Sequence, residues 1–292
     1  MFAIAASACF GIRGILYQWT SQRPVDRNLL FVGVYLSGII VSLLLNVQAG
    51  QPWNSGIELG ILMGLFSFAA NASLYRGYEV GRASVVAFFS ALSPLVVVFA
   101  AYLLWSEAPG IVQGIGFAIV VLALVIVRYG QDLRSGQLRG WSWGTLAMLL
   151  YSFTDLSSKQ SVLVGASMLP VLTMMFMTGT ILFLGMYATD RVRKSRGKKS
   201  PTGDEVKASA VWPLPRTLIW GMTVGLTNIA GMVLMLNALQ EGVTGIVSAI
   251  TAMSVIVVIL YARFYLKETM SRREALGILL AFAGIIVLRL AS

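Results

Sequence analysis

Arg13 and Asp155 stand inside long apolar runs, ACFGIRGILY and LLYSFTDLSS, where an ionised group is expensive. An arginine at the centre of a bilayer costs at least about 2.5–3.5 kcal/mol on insertion scales, so each charge needs water, a partner or a bound solute. A cation and a carboxylate on neighbouring helices could hold a substrate between them, or could pair statically and fix the helices. Asp155 could also carry a coupling proton. The chain has no histidine, so proton coupling within it would have to use a carboxylate.

Amides, hydroxyls and aromatics extend this polar set. Asn71 follows Ser67 by four residues and precedes Tyr75 by four, which puts all three on one helical stripe. Asn228 offers a second amide, Ser90 and Ser93 recur as Thr251 and Ser254, and Tyr151 lies one turn before Asp155. The amides could hydrogen-bond a substrate or a neighbouring helix, and the small hydroxyls could simply let helices approach. Tyr75 and Tyr151 could stack on a solute, whereas Trp19, near a helix end, reads as an interfacial anchor. The expected substrate-binding set is therefore Arg13, Asn71, Tyr75, Ser90, Tyr151, Asp155, Asn228 and Thr251, with Asp155 the candidate for proton coupling.

The same inventory argues against an enzyme. Hydrolysis by paired intramembrane aspartates needs two, and only Asp155 lies in an apolar run; Asp26, Asp132, Asp190 and Asp204 fall in connections. With no histidine and one cysteine, Cys9, a metal site has few ligands to use. No GxxxxGK[ST] pattern occurs, so direct ATP drive is not expected. No catalytic residues, cofactor or metal are expected.

These residues must be positioned by membrane helices. The 292 residues are 57% hydrophobic and only 12% charged, against roughly 25% charged in soluble domains. A span needs about 20 mostly apolar residues, and ten such segments are expected, near 2–20, 29–48, 57–79, 83–105, 110–128, 141–161, 169–189, 217–239, 243–265 and 271–290. Backbone in lipid must satisfy its own hydrogen bonds, so the class is an all-α integral membrane protein. The first run lacks a basic leader and is interrupted by Arg13, so it is expected to be a span and not a cleaved signal. Only one connection is long: residues 190–216, basic and expected to be a solvated, mobile loop.

The segments repeat. Laying the chain on itself at an offset of 161 aligns 60–128 with 221–289 without a gap, with fourteen identities that include Gly60, Gly64, Gly81, Ser93, Glu107, Gly116 and Arg128. A weaker match at 141 lays Phe10-Gly11 on Tyr151-Ser152, Gln18 on Lys159, and Gly14 on Asp155. Two five-helix halves follow, 1–128 and 141–292, joined by 129–140. Five is odd, so the halves enter the membrane from opposite sides, the inverted repeat of many secondary transporters. Gly60/Gly64, Gly110/Gly114 and Gly221/Gly225 have the GxxxG spacing of close helix contacts, expected inside the monomer more than at a dimer face. Glu79, Glu107, Glu241 and Glu268 sit at helix ends, where solvation or local pairing accounts for them.

Charge gives an orientation. The net charge is +10, and 19 of the 22 Lys and Arg fall in or beside connections 1–2, 3–4, 5–6, 7–8 and 9–10; Arg13, Lys159 and Arg289 are the exceptions. This is the pattern of a membrane protein and not of a nucleic-acid binder. By the positive-inside rule these connections are cytoplasmic and both termini lie outside.

From residue 75 the sequence resembles a known family. Gly81-x-Ala83-Ser84-Val85-Val86-Ala87, Ser90-Ala91-Leu92-Ser93-Pro94, Glu107 and Gly116 are similar to the repeat of the drug/metabolite transporter superfamily, in its ten-helix, EamA-type branch. The second copy keeps Gly242, Ser248-Ala249, Leu266-Lys267-Glu268 and Gly277, with Val255 where the family often has proline. Phe10-Gly11 and Tyr151-Ser152 look like degenerate forms of the family's Trp-Gly, and Lys159 falls where it commonly has lysine. The resemblance implies the ten-helix fold and a transporter, with both termini usually cytoplasmic; here the charge pattern argues for the other orientation.

The expected function is a secondary active transporter in the cell membrane, multi-pass in the bilayer. It would move a small polar or amphipathic metabolite, such as an amino acid or similar zwitterion, by alternating access, as a monomer or weak homodimer. The alternative is a membrane scaffold or sensor without a transport cycle.

Overall fold

A computed structural model of the chain describes residues 1–21, 23–81, 83–128, 139–197, 212–265 and 272–290. Every element among them is helical: α1 (Phe2–Ser21), α2 (Arg27–Ala49), α3 (Leu59–Val80), α4 (Ala83–Ser90), α5 (Ser93–Trp105), α6 (Ile111–Arg128), α7 (Trp141–Leu163), α8 (Met168–Gly197), α9 (Leu214–Glu241), α10 (Thr244–Ala252), α11 (Ser254–Phe264) and α12 (Arg272–Leu290). By length and composition α2, α9 and the stretch Met168–Val192 of α8 are each sufficient to cross a membrane, and Phe2–Tyr17, Ser93–Trp105, Ile111–Ile126 and Ala275–Leu288 are shorter apolar stretches.

Two expected segments are each broken in the middle. The run expected as one helix over 83–105 is α4 and α5, separated at Ala91-Leu92. The cause is local: Pro94 sits in the first turn of α5, where its missing N–H is harmless, and its ring bars the helix from running through from α4. The run expected over 243–265 is α10 and α11, broken at Met253. No proline is there, so this break comes from packing. A further correction falls on the basic connection: α8 continues through Gly197, so residues 190–197 are helical and not loop.

The ends of α2 show local coding of a helix. Asp26 caps its start, accepting the Leu29 N–H at 3.1 Å. Gly50 ends it in the left-handed region at φ 61, a conformation that favours glycine, with its N–H bonded to the Asn46 carbonyl.

Helix pairing falls into matched sets. α1 packs on α9 as α3 packs on α7; α2 packs on α9 as α3 packs on α8; α4 and α5 lie on α7 as α10 and α11 lie on α1. Two contacts join equivalent elements directly, α2 with α8 and α6 with α12, and the two broken segments meet through α5 and α10. Most pairings between the halves thus have a counterpart with the halves exchanged; α10 with α5 and α10 with α6 are the exceptions.

Glycines set the closest crossings. A methyl group on Gly221 would run into the Leu30 carbonyl and lie 3.0 Å from the Cα of Gly33, while one on Gly225 would strike the Val34 carbonyl and Ser37. In the other half, Gly60 and Gly64 meet the Val171 and Met175 carbonyls of α8 in the same way. Both pairs close helices within the monomer. The third pair does not: nothing lies within 4 Å of a methyl on Gly114, and only the tip of Gln113 is near Gly110.

The main apolar core gathers Phe31 and Tyr35 of α2, Phe176 and Phe183 of α8, and Val224, Met232 and Leu236 of α9. A second cluster joins Val120 and Leu124 of α6 to Ala281 and Leu288 of α12 through Ala249 of α10, Met253 at the break and Ile256 of α11. Large apolar side chains such as Phe99, Leu103, Ile181 and Leu279 are turned outward, the surface a membrane would cover.

Candidate functional site

Both breaks face one cavity. It has a volume of about 170 Å³ and is lined from α1, α2, α3, α5, α7, α8, α9, α10 and α11, with Ser93 and Ser254 at the two interruptions. Six of the eight expected residues line it: Arg13, Asn71, Tyr151, Asp155, Asn228 and Thr251. Ser90 closes α4 and is not among the lining residues; Ser93, which opens α5, takes that place. Tyr75 is drawn away into the aromatic core, edge-on to Phe31 at 5.3 Å, with the Arg27 guanidinium carbon 5.3 Å from its ring centre.

The two charges do not pair with each other. Arg13 donates to Asn228 Oδ1 at 2.5 Å, and its guanidinium lies 4.6 Å from the centre of the Phe10 ring and 5.9 Å from that of Tyr17. Asp155 accepts a 2.6 Å hydrogen bond from the Ser248 hydroxyl of α10. A cation with one amide partner and a carboxylate with one hydroxyl partner therefore share the cavity, each with capacity to spare: a guanidinium has five N–H donors and a carboxylate about four acceptor sites.

The third-span amides are each held by the first span of the other half. Asn228 of α9 bonds Arg13 of α1, and Asn71 of α3 accepts from the Tyr151 hydroxyl of α7 at 3.0 Å. Asn71 also donates to the Ser67 carbonyl at 2.8 Å and to the Tyr35 hydroxyl at 3.3 Å, and Tyr35 and Ser67 share a 2.6 Å hydrogen bond. Tyr35 is a site residue that sequence reasoning missed, because it lies in an almost wholly apolar run. Tyr17, Thr154 and Ser248 also line the cavity outside the expected set.

At the end away from the basic connections the halves are tied together. Ser106 ends α5 in the left-handed region at φ 54, which turns the chain so that Glu107 reaches across to the second half. One Glu107 oxygen meets Lys159 Nζ at 2.9 Å, and the other accepts the Thr244 N–H at the start of α10, also at 2.9 Å. Lys159 is buried and also donates to the Leu239 and Gly242 carbonyls at 3.1 and 3.4 Å, at the end of α9. Burial pushes the Glu107 carboxyl up, but the Thr244 N–H and the Lys159 ammonium outweigh it, leaving the group below its ordinary value. Nearby, Asn54 exchanges hydrogen bonds with the Gly165 carbonyl and the Ser167 N–H, and Gln51 accepts from the Leu169 N–H, all at 2.9 Å. Local pairing is thus the right reading of Glu107, with a partner in the other half. Glu268 and the side chains of Gln18, Glu79, Arg128 and Arg289 lie outside the described residues. Among the described residues no group of three metal-ligating side chains occurs.

Comparison with known proteins agrees with this architecture. No curated protein matches the chain. A solved structure, described only as "Crystal structure of protein", superposes with a TM-score of 0.75 over 100% of this chain and 98% of its own, at 14% identity. At that identity the likeness speaks for the fold alone. The EamA-like transporter family model matches twice, over residues 1–129 and 138–290, one match to each half. The family is one of transporters, generally without enzymatic activity, and the chain, a two-repeat helical membrane protein, belongs to the EamA-like transporter family of the drug/metabolite transporter superfamily.

Proposed function

We propose that the protein is a secondary active transporter that moves a small polar or amphipathic metabolite, of the size and charge of an amino acid or similar zwitterion, across the cell membrane. The observation that carries this is the cavity itself. It lies between the halves, beside two broken helices, and holds Arg13 and Asp155 without letting them neutralise each other. A zwitterion offers a carboxylate to the one and an ammonium to the other, and the hydroxyls and amides between them can take its remaining hydrogen bonds. The volume of about 170 Å³ lies below the ~300–1,000 Å³ of sites for drug-sized ligands, which favours a small solute.

In this reading the ten segments span the membrane as two inverted halves, each broken segment counting as one span, and the halves rock about the cavity to expose it to one side and then the other. The exchange pattern of helix contacts supports the two-fold relation, and the odd number of spans per half supports the inversion. The basic connections are cytoplasmic and the termini outside, by the count of Lys and Arg. Asp155 is the residue for a coupling proton, since it is the carboxylate that lines the cavity.

The test compares metabolites inside and outside cells expressing wild type, Arg13→Ala and Asp155→Asn at matched membrane levels. A compound that shifts with wild type and not with either variant is the substrate, and its direction is read at once. An equal shift in all three removes these residues from the transport site. No shift in any of them, across varied media, favours a scaffold or sensor.

A further inference from the structure

At the end carrying the basic connections, three tryptophans from two separate stretches of chain meet beside two arginines. Trp19, in the last turns of α1, lies 6.0 Å from Trp212 and 4.7 Å from Trp220 of α9, and Trp212 and Trp220 are 6.3 Å apart. The Arg23 guanidinium carbon stands 4.8 Å from the Trp19 ring, and that of Arg216 stands 4.2 Å from Trp212. The Trp212 N–H bonds the Pro24 carbonyl at 2.9 Å, tying the two connections together. Both arginines are exposed. A guanidinium against an indole is held in place by the ring while its N–H donors stay in its own plane, the geometry that suits a phosphate.

A second feature starts just below. Between α2 and α9 runs an open apolar groove of about 290 Å³, lined by Ser37, Ile40, Val41, Ile219, Met222, Thr223 and Leu226. It opens on the outer surface, where Ile40, Ile219 and Leu226 are all exposed. Ile219 and Thr223 follow Arg216 by three and seven residues, so one flank of α9 leads from the guanidinium into the groove. At a rise of 1.5 Å per residue, Arg216 to Leu226 covers about 15 Å, half of a hydrocarbon core of about 30 Å. The groove is one leaflet deep.

We infer that this face is a specific site for an anionic phospholipid, its phosphate between Arg23 and Arg216 and an acyl chain along the α2–α9 groove. Tryptophans at headgroup level fit the same placement. The inference rests on membrane embedding and is independent of transport. It also differs from diffuse attraction of acidic lipids by a chain of net charge +10, because it names two arginines among many at that end.

The test is native mass spectrometry of the full chain in detergent, titrated with phosphatidylglycerol and phosphatidylcholine of the same acyl composition. Wild type should bind phosphatidylglycerol more tightly. A basic side chain near an anionic lipid surface is worth about fivefold, so Arg23→Gln with Arg216→Gln should weaken phosphatidylglycerol about 30-fold and leave phosphatidylcholine unchanged. Thr223→Trp, which fills the groove from an exposed position, should weaken both lipids. Arg191→Gln with Arg272→Gln, exposed arginines at the same end, should change neither. Equal binding of the two lipids by wild type would overturn the inference, as would an equal loss in the control pair. So would a site that inorganic phosphate fills while the groove variant has no effect. All five positions are exposed, and unfolding temperatures without lipid check that the variants fold.

Discussion

Removing one partner of the Lys159–Glu107 pair should destabilise the protein far more than removing both. The ammonium is 8% exposed and the carboxylate 20%, at a separation of 2.9 Å. Breaking a buried pair by deleting one member costs about 3–5 kcal/mol, because the survivor stays buried without its counter-charge. Glu107 keeps some water and the Thr244 N–H, so Lys159→Met belongs at the lower end, about 3 kcal/mol. Glu107→Gln leaves Lys159 with only the two carbonyls of the α9 end and should cost a similar amount. In the double variant no charge remains, and the glutamine can still accept from Thr244, so the loss should shrink to about 1 kcal/mol, a coupling of about 5 kcal/mol. At about 2–4 °C per kcal/mol, each single variant should lower the unfolding temperature by about 6–12 °C and the double variant by a few degrees. The assay is thermal unfolding of purified protein in one detergent. Losses that add, to within about 0.5 kcal/mol, would show that the pair is not coupled and refute the argument.

The same carboxylate gives a pH dependence. Its folded value lies below the ordinary 4.5, so its contribution is complete at neutral pH and is lost as pH falls below 4.5 through the folded value; Glu107→Gln should flatten that limb of the stability curve. Gly221→Leu and Gly64→Leu should each prevent assembly or cost several kcal/mol, since backbone carbonyls of α2 and α8 occupy the space, whereas Gly114→Leu should leave the unfolding temperature within about a degree. Tyr151→Phe removes one hydrogen bond to Asn71 and should cost about 0.6 kcal/mol of stability. If the cavity binds substrate, the same variant should raise the half-saturating concentration in uptake assays; unchanged uptake would assign Tyr151 to packing.

Much of this arrangement was legible in the chain. The GxxxG spacing marks Gly60/Gly64, Gly221/Gly225 and Gly110/Gly114 alike as contact glycines, and the first two pairs, which also recur at one offset, are the ones that meet a partner. Gly110 and Gly114 have the same spacing but no counterpart pair, and they face open space. Spacing alone therefore marks a surface that permits close approach, and only a partner makes it a contact. Pro94 is a local signal for the break before α5 that the expectation of one helix over 83–105 passed over, while the break at Met253 has no local signature and had to be seen. Tyr35 escaped notice for a similar reason: a tyrosine in a mostly apolar run looks like core until Ser67 and Asn71 are found beside it. Lys159 and Glu107 are 52 residues apart, and their meeting depends on where the α5–α6 turn lies against α7, which periodicity does not determine.

The missing proline in the second half makes the two joints mechanically different. Pro94 has no amide hydrogen to offer the carbonyl of Ser90, four residues back, so the bend between α4 and α5 is permanent. Val255 carries the hydrogen that Pro94 lacks, and Thr251 stands four residues before it. The α10–α11 joint therefore carries no such bar to a continuous helix. Thr251 and Ser254, beside that joint, line the cavity, so straightening it would reshape one wall while the wall at Ser93 stayed fixed. If the halves move against each other in a transport cycle, the joint whose backbone permits straightening is in the second half and the joint that stays bent is in the first.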